Sequence, residues 1–291
     1  MSDIITRNPC INEIPELRSI WKRVFGSVGE EAFFIHYYEP KLCVIAEHDN
    51  DPASVGYLVP FGHILNGQES VPCAMIYSVA TLPEYRCMGH GTAVVNELIR
   101  LARKLGYPAV VLCPIDEKLF GYYGKHANMY DWFYVNEQVF SSALVSSDSV
   151  MLTEVTINEY NNQREELLKG ITHIKHDFYT LEYQSMLCDE LGGGLFRIGD
   201  SCAVVESQQD GAVWIKELLL PGGGSDDFTS DPHSIGALTA IANKFPSSKY
   251  VVRTPSRIGM GRRFGMIALP DDLQADLSDS TTSPWYGMAF D

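Results

Sequence analysis

Arg86, Gly89 and Gly91 stand as R-x-x-G-x-G within the stretch Arg86-Cys87-Met88-Gly89-His90-Gly91. Glycines at this spacing let the main chain fold back until several N–H groups and the start of a following helix aim at one point, which makes a seat for a phosphate or pyrophosphate. On the loop alone, an ordinary strand-to-helix turn is an equal alternative. No acidic ribose anchor sits on the following strand and Gly-Lys-Ser/Thr is missing, so neither a Rossmann site nor a nucleotide P-loop is indicated.

Such a loop needs a strand before it and a helix after it. Ile76 to Leu82 is β-branched and apolar enough for a strand covered on both faces, and Pro83 removes the next backbone donor, so pairing stops there. Beyond the loop, Val94, Val95, Leu98, Ala102 and Leu105 share one helical stripe, with Glu97, Arg100, Arg103 and Lys104 on the other side. The basic last turn suits the negative end of the helix dipole, and Gly106 is placed to close the helix in a left-handed conformation. Ala109 to Cys113 is a short continuous apolar run, the mark of a buried strand lying parallel to its predecessor after a helical crossover.

With these neighbours, VATLPEYRCMGHG resembles the acyl-CoA loop of the GNAT N-acetyltransferase superfamily, in which V-x-P-x-x-R/Q-x-x-G-x-G feeds a helix; here Thr81 and Leu82 stand between Ala80 and Pro83. The resemblance implies that Arg86, Cys87, Met88, Gly89, His90, Gly91 and Thr92 seat the pyrophosphate of acetyl-CoA. It also implies that the main chain of Val79, Ala80 and Thr81 faces the pantetheine arm in a gap between two splayed parallel strands. DEKLFGYYGKHANMYDWFYV is similar to the family's next helix, N-x-x-A-x-x-F-Y-x-K-x-G-F. Asp116 takes the asparagine position, Tyr122-Tyr123 the aromatic pair and Lys125 the lysine, whereas Ala127-Asn128 replaces Gly-Phe. By that resemblance Asp116 belongs to the donor site and Tyr123 protonates the departing thiolate; a tyrosine merely packed in its helix is the alternative.

The implied activity is acetyl transfer from acetyl-CoA, a co-substrate used without a metal, directly to a primary amine in a ternary complex. A non-catalytic acyl-CoA sensor is the reading from another class. The base is open among Glu84, His36 and the terminal carboxylate at Asp291, with water as a relay. A helix from Pro15 to Gly26 and another from Glu30 to Glu39, stopped by Pro40, border the acceptor in the family, which brings His36, Tyr37, Tyr38 and Glu39 towards it.

The 37 acidic and 22 basic residues leave a net charge of -15, which disfavours nucleic acid or an anionic membrane as partner and suits an amine-bearing small molecule or peptide. No apolar run approaches the ~20 residues of a membrane span, and MSDIITRNPC lacks a signal pattern, so a cytoplasmic protein is expected. Seven scattered cysteines without C-x-x-C spacing indicate neither a disulfide framework nor a zinc site.

A length of 291 residues exceeds one ordinary core. Serine density rises in SSALVSSDS, which places a boundary near residue 147 and divides the chain into 1–147 and 148–291. The second part repeats the plan of the first. Helices at 158–169 and 179–191, strands at 195–198 and 202–206, and an Asp210-Gly211 turn lead to IKELLLP, which ends in proline where YSVATLP does. A helix at 234–245 and a strand at 250–254 follow, and Arg262-Arg263-Phe264-Gly265 stands where the first copy has its last helix. The fold class is therefore α/β (α+β), two tandem GNAT-like domains with mixed sheets flanked by helices. The second copy has Gly222 to Asp227 in place of the loop, and its two carboxylates would repel a pyrophosphate. In plan the chain resembles the enhanced-intracellular-survival acetyltransferases, in which the terminal carboxylate enters the active site, although no third, sterol-carrier-like domain follows here. The apolar ending SPWYGMAFD is expected to fold back and carry Asp291 with it.

Overall fold

The structure, a computed structural model, describes residues 4–141, 150–208, 210–223, 231–270 and 282–290. The chain forms two compact units, Met1–His63 with Val71–Asp131 and Met266–Gln274, and Ile64–Ser70 with Trp132–Gly265 and Ala275–Asp291. The expected boundary near residue 147 lies outside the described residues.

The first unit runs β1 (Thr6–Arg7), α1 (Ile14–Phe25), α2 (Glu30–His36), β2 (Cys43–His48), β3 (Asp51–Asn66), β4 (Glu69–Thr81), α3 (His90–Lys104), β5 (Ala109–Leu112) and α4 (Glu117–Ala127). Its strands lie in the order β1-β2-β3-β4-β5. Helix α2 is shorter than its aromatic stripe suggests, because Pro40 forces Glu39 into an extended conformation (φ -132°, ψ 128°) and a 3-10 turn, Pro40–Leu42, follows. The turn between β2 and β3 is a two-residue one. Asp49 and Asn50 alone take left-handed φ (53° and 70°), as a two-residue hairpin requires. Pro52 is already in β3 opposite Glu47, at a register shift next to Ala46, where a residue without an N–H is tolerated.

Val44, Leu58, Ala74 and Ile76 of one sheet face, with Leu42 just ahead of β2, meet Val94, Val95, Leu98 and Phe120 in one core. Helix α3 approaches β3 so closely that a Cβ on Gly56 would lie 2.8 Å from Val94 Cγ1 and 2.9 Å from Leu98 Cδ1. On the opposite face Leu17, Ile20 and Trp21 of α1 are buried, and Trp21 stacks on Phe33 at 5.0 Å.

The second unit contains β6 (Tyr130–Phe140, from Trp132 on), β7 (Leu152–Glu154), α5 (Ile157–Leu167), β8 (His173–Lys175), α6 (Phe178–Glu190), β9 (Gly194–Ile198), β10 (Ser201–Ser207), β11 (Val213–Leu219), α7 (Pro232–Lys244), β12 (Tyr250–Pro255) and the first half of β13 (Arg262–Ala268). Its strand order is β6-β12-β11-β10-β9-β7. The repeat seen in the sequence is present in the pairing. Strand β11 runs parallel to β12 from Val213↔Tyr250 to Ile215↔Val252, as β4 runs parallel to β5 from Cys73↔Ala109 to Met75↔Val111. Each leading strand continues beyond its partner into a proline and a 3-10 turn, Pro83–Tyr85 in one copy and Pro221–Gly223 in the other.

Arg262-Arg263-Phe264-Gly265 corrects one expectation, because these residues open a strand and not a helix. The continuation explains it. Met266, Ile267 and Ala268 pair antiparallel with Leu112, Val111 and Val110, supplying the second neighbour that the buried strand β5 needs for its main-chain groups. The segment 282–290 does fold back. Trp285 and Tyr286 are buried, Trp285 N donates to Thr172 O at 2.8 Å and Ile174 N to Trp285 O at 3.0 Å. Trp285 Nε1 donates to Glu217 Oε2 at 2.6 Å, beside the buried Arg164–Glu217 ion pair (2.8 Å). Asp291 itself lies outside the described residues. Among the described residues no helix is long and apolar enough to cross a membrane.

Candidate active site

The site in the first unit is built on the end of β4. Its pairing with β5 stops at Met75↔Val111, while β4 itself runs on to Thr81. Within that overhang Ser78 takes a left-handed φ of 48°. The conformation works as a bulge and shifts the strand's alternation by one residue. Ile76 and Val79, three apart, therefore both reach the α3 core, whereas Tyr77 lies on the other face, 5.8 Å from the Trp21 ring and 5.5 Å from Phe33.

Alternation resumes after the bulge. Leu82 N donates to Ala53 O at 3.0 Å and the fully buried Ser54 donates its hydroxyl to Ala80 O at 2.8 Å. The main chain of Ala80 and Leu82 thus turns towards β3, which directs that of Val79 and Thr81 the opposite way, along the unpaired side. Of the three strand residues named from the sequence, Ala80 and Thr81 have carbonyls that accept a side-chain bond, the first from Ser54 Oγ at 2.8 Å and the second from Arg86 Nε at 3.3 Å.

The loop follows a 3-10 turn at Pro83–Tyr85. Cys87 (φ 62°) and Gly89 (φ 93°) are left-handed, and Arg86 Nε donates to Thr81 O at 3.3 Å, holding the arginine against the strand end. Gly89 is the N-cap of α3 and brings no capping side chain. The first helical bond runs from Ala93 N to Gly89 O at 3.0 Å, so the N–H groups of His90, Gly91 and Thr92 are not spent inside the helix. The surroundings of Gly91 are crowded: a Cβ there would stand 3.1 Å from Thr81 Oγ1, close enough that the threonine would have to give, and 3.5 Å from the Tyr122 hydroxyl, an ordinary contact. Cys87 and Met88 are exposed. His90 turns inward. Its ring is buried 5.4 Å from that of His48 and 6.0 Å from that of Tyr85, which leaves its main chain as the part that a ligand at the loop could use. Unspent amides at a helix N-terminus with Arg86 alongside are a fitting seat for a pyrophosphate.

Tyr123 on α4 is 9% exposed and sits in the α3–α4 core. Burial, with smaller contributions from Tyr122 and Asp116, pushes its phenol well above the usual value near 10 and holds it protonated. Tyr122 lies beside it at 5.2 Å and points elsewhere, its hydroxyl 2.7 Å from Thr92 Oγ1 in the first turn of α3. Asp116 caps α4, accepting from Lys118 N at 2.9 Å and Leu119 N at 3.0 Å. Sequence reasoning named Thr92, gave Tyr122 no role beyond its place in the aromatic pair, and missed Ser54 and Ser78. A hydroxyl that bonds another chain segment leaves no periodic signal.

The described candidate bases sit apart in character. Glu84 is half exposed and paired with Arg23 at 3.1 Å; its own backbone N–H, and after it Arg23, hold its carboxyl below the usual range. His36 is partly buried, edge-on to Tyr37 at 4.9 Å. Among the described residues no group of three or more His, Cys, Asp or Glu side chains is arranged to hold a metal.

Residues 6–126 match the family model described as the acetyltransferase (GNAT) domain. No curated protein matches the chain in sequence. A GCN5-related N-acetyltransferase from Anabaena variabilis is similar in structure over 92% of this chain and 73% of its own, with a TM-score of 0.67 at 16% identity. One from Kribbella flavida is similar over 93% and 72%, with a TM-score of 0.65 at 15% identity. Eis1 from Mycobacterium abscessus is similar over 92% and 73%, with a TM-score of 0.58 at 9% identity. At these identities the likeness is one of fold. Residues 6–126 are thus a GNAT acetyltransferase domain, an acyltransferase module, in a chain that shares the fold of GNAT acetyltransferases.

Proposed function

We propose that this chain moves the acetyl group of acetyl-CoA to a primary amine by direct transfer, with donor and acceptor bound together in the first unit. One observation carries the reading: β4 overhangs β5 from Ile76 to Thr81 and runs into a loop whose helix keeps unspent N–H groups. Acetyl-CoA supplies a thioester carbon open to an amine and a sulfur that leaves as thiolate. The chain's own residues do the rest. His90, Gly91 and Thr92 N–H with Arg86 hold the pyrophosphate, Cys87 and Met88 complete the loop, and Val79 and Thr81 offer main-chain groups to the arm and an N–H to the thioester oxygen. Asp116 acts from the cap of α4, fixing the helix that carries Tyr123. The Tyr123 phenol keeps a proton ready for the sulfur.

The new C–N bond forms as the C–S bond breaks, and the amine gives up one proton while the thiolate gains one. The leaving ammonium proton has Glu84, His36, the Asp291 terminus or water to receive it. A net charge of -15 favours a cationic acceptor, a small amine or a peptide, over nucleic acid or an anionic membrane.

The second copy is read as a partner without a donor site. The N-terminus of α7 is already used, because the Asp231 carboxylate accepts from His233 N at 3.1 Å and from Ser234 Oγ at 2.8 Å, and Pro232 has no N–H to give. The carboxylates at Asp226 and Asp227 lie outside the described residues.

The test is CoA-thiol release from acetyl-CoA over a panel of amines. Amine-dependent release is expected. Binding of acetyl-CoA with no release for any amine would favour the sensor reading instead.

A further inference from the structure

Four hydroxyls meet beneath the donor loop. Ser54 and Thr81 are 2.9 Å apart on neighbouring strands, Thr92 and Tyr122 are 2.7 Å apart on neighbouring helices, and Gly91 lies between the pairs, where a Cβ would come within 3.1 Å of Thr81 Oγ1 and 3.5 Å of the Tyr122 hydroxyl. A second bond, Asn96 Nδ2 to His126 O at 3.0 Å, joins α3 and α4. The spacing is informative: residues 92 and 96 of α3 meet residues 122 and 126 of α4, so two rungs one helical turn apart lace parallel helices. The upper rung grips the turn of α3 whose amides are unspent. The lower rung lies one turn further along α3, away from its N-terminus.

From this we infer that Tyr122 is a positioning residue for the donor: its hydrogen bond to Thr92 sets the first turn of α3 against α4 and thereby aims the loop amides. The inference rests on the donor reading above. Tyr122 directly precedes Tyr123, so the same bond ties the pyrophosphate seat at one end of the donor to the phenol at the other. Thr92 and Tyr122 are both only partly buried residues, and Tyr122→Phe and Thr92→Val each remove one hydroxyl of the pair, so the double variant, which removes both, controls for a hydroxyl left without its partner.

Calorimetric titration of CoA into the full chain tests this on wild type, Tyr122→Phe, Thr92→Val, the double variant and Asn96→Ala. Loss of one ordinary hydrogen bond from the aligned state predicts roughly threefold to tenfold weaker CoA binding in each of Tyr122→Phe and Thr92→Val. The double variant should bind no more weakly than either single one, because all three lack the same bond. Asn96→Ala should lower the melting temperature while leaving CoA affinity close to wild type, and a merely structural role for the upper rung would make Tyr122→Phe and Thr92→Val behave the same way. Steady-state analysis should show the Tyr122→Phe defect chiefly in KM for acetyl-CoA, and the Tyr123→Phe defect in kcat. Wild-type affinity in both single variants, or effects that multiply in the double variant, would overturn the inference and leave the donor reading standing. Absence of CoA binding by the wild type would remove the donor reading and the inference together.

Discussion

Tyr123 concentrates the chemical question at the residue scale. Its burial favours the neutral phenol, which keeps a proton available and also makes it a reluctant acid, so the service proposed for it is a hydrogen bond to the sulfur that strengthens as charge develops there. Tyr123→Phe keeps the ring in the α3–α4 core and removes the donor alone. We expect kcat to fall by ~10²- to 10⁴-fold with acetyl-CoA affinity nearly intact, measured on an accepted amine. Wild-type turnover would make Tyr123 a core residue only. The raised phenol pKa adds a pH signature. A protonated donor is lost as pH rises through its own pKa, and that value lies above the ordinary phenol value of about 10, so kcat should show no break at pH 10 attributable to Tyr123.

At the scale of elements, what the sequence revealed and what it hid have physical reasons. Helix α3 was legible because Val94, Val95, Leu98 and Ala102, all buried, repeat at helical spacing between a left-handed glycine and a basic last turn; Leu105, counted in the same stripe from the sequence, stands exposed at the C-cap. The loop was legible because glycines mark positions that side chains would obstruct, as Thr81 Oγ1 does at Gly91. The bulge was not. Ser78 in IYSVAT reads as one more strand residue, since nothing in its type announces a left-handed φ, and the one-residue shift shows only when Ile76 and Val79 share a face. Residue 262 onward was misread for a related reason: two arginines before an apolar run fit a helix or a strand, and the pairing with β5 decides.

The bulge carries a prediction. A left-handed conformation is disfavoured for L-residues by roughly 1–2 kcal/mol, most for β-branched ones, and not for glycine. Ser78→Gly should therefore keep or raise the melting temperature, whereas Ser78→Val should lower it and weaken acetyl-CoA binding as the strand end straightens. Equal melting temperatures for the two variants would show that β4 is not held in this conformation.

Over the whole molecule, duplication was legible from IKELLLP beside YSVATLP, and the matching parallel pairings of β4–β5 and β11–β12 are its structural form. The composition of the two units was hidden. Ile64–Ser70 belongs with the second unit and Met266–Gln274 with the first, and periodicity reports the faces of an element without naming the strand beside it. Thr172 Oγ1, donating to Asn66 Oδ1 at 2.9 Å, is one bond that captures the β3–β4 tip in the second unit.

The central claim is that one of the two copies, the first, binds the acyl donor. Equilibrium calorimetry of acetyl-CoA on the full chain and on Gly91→Asp tests it most directly, because an aspartate there meets Thr81 Oγ1 and places a carboxylate among the amides meant for phosphate. We predict one site per wild-type chain and none in a Gly91→Asp protein that still unfolds cooperatively; two sites per chain, or undiminished binding by Gly91→Asp, would contradict the account.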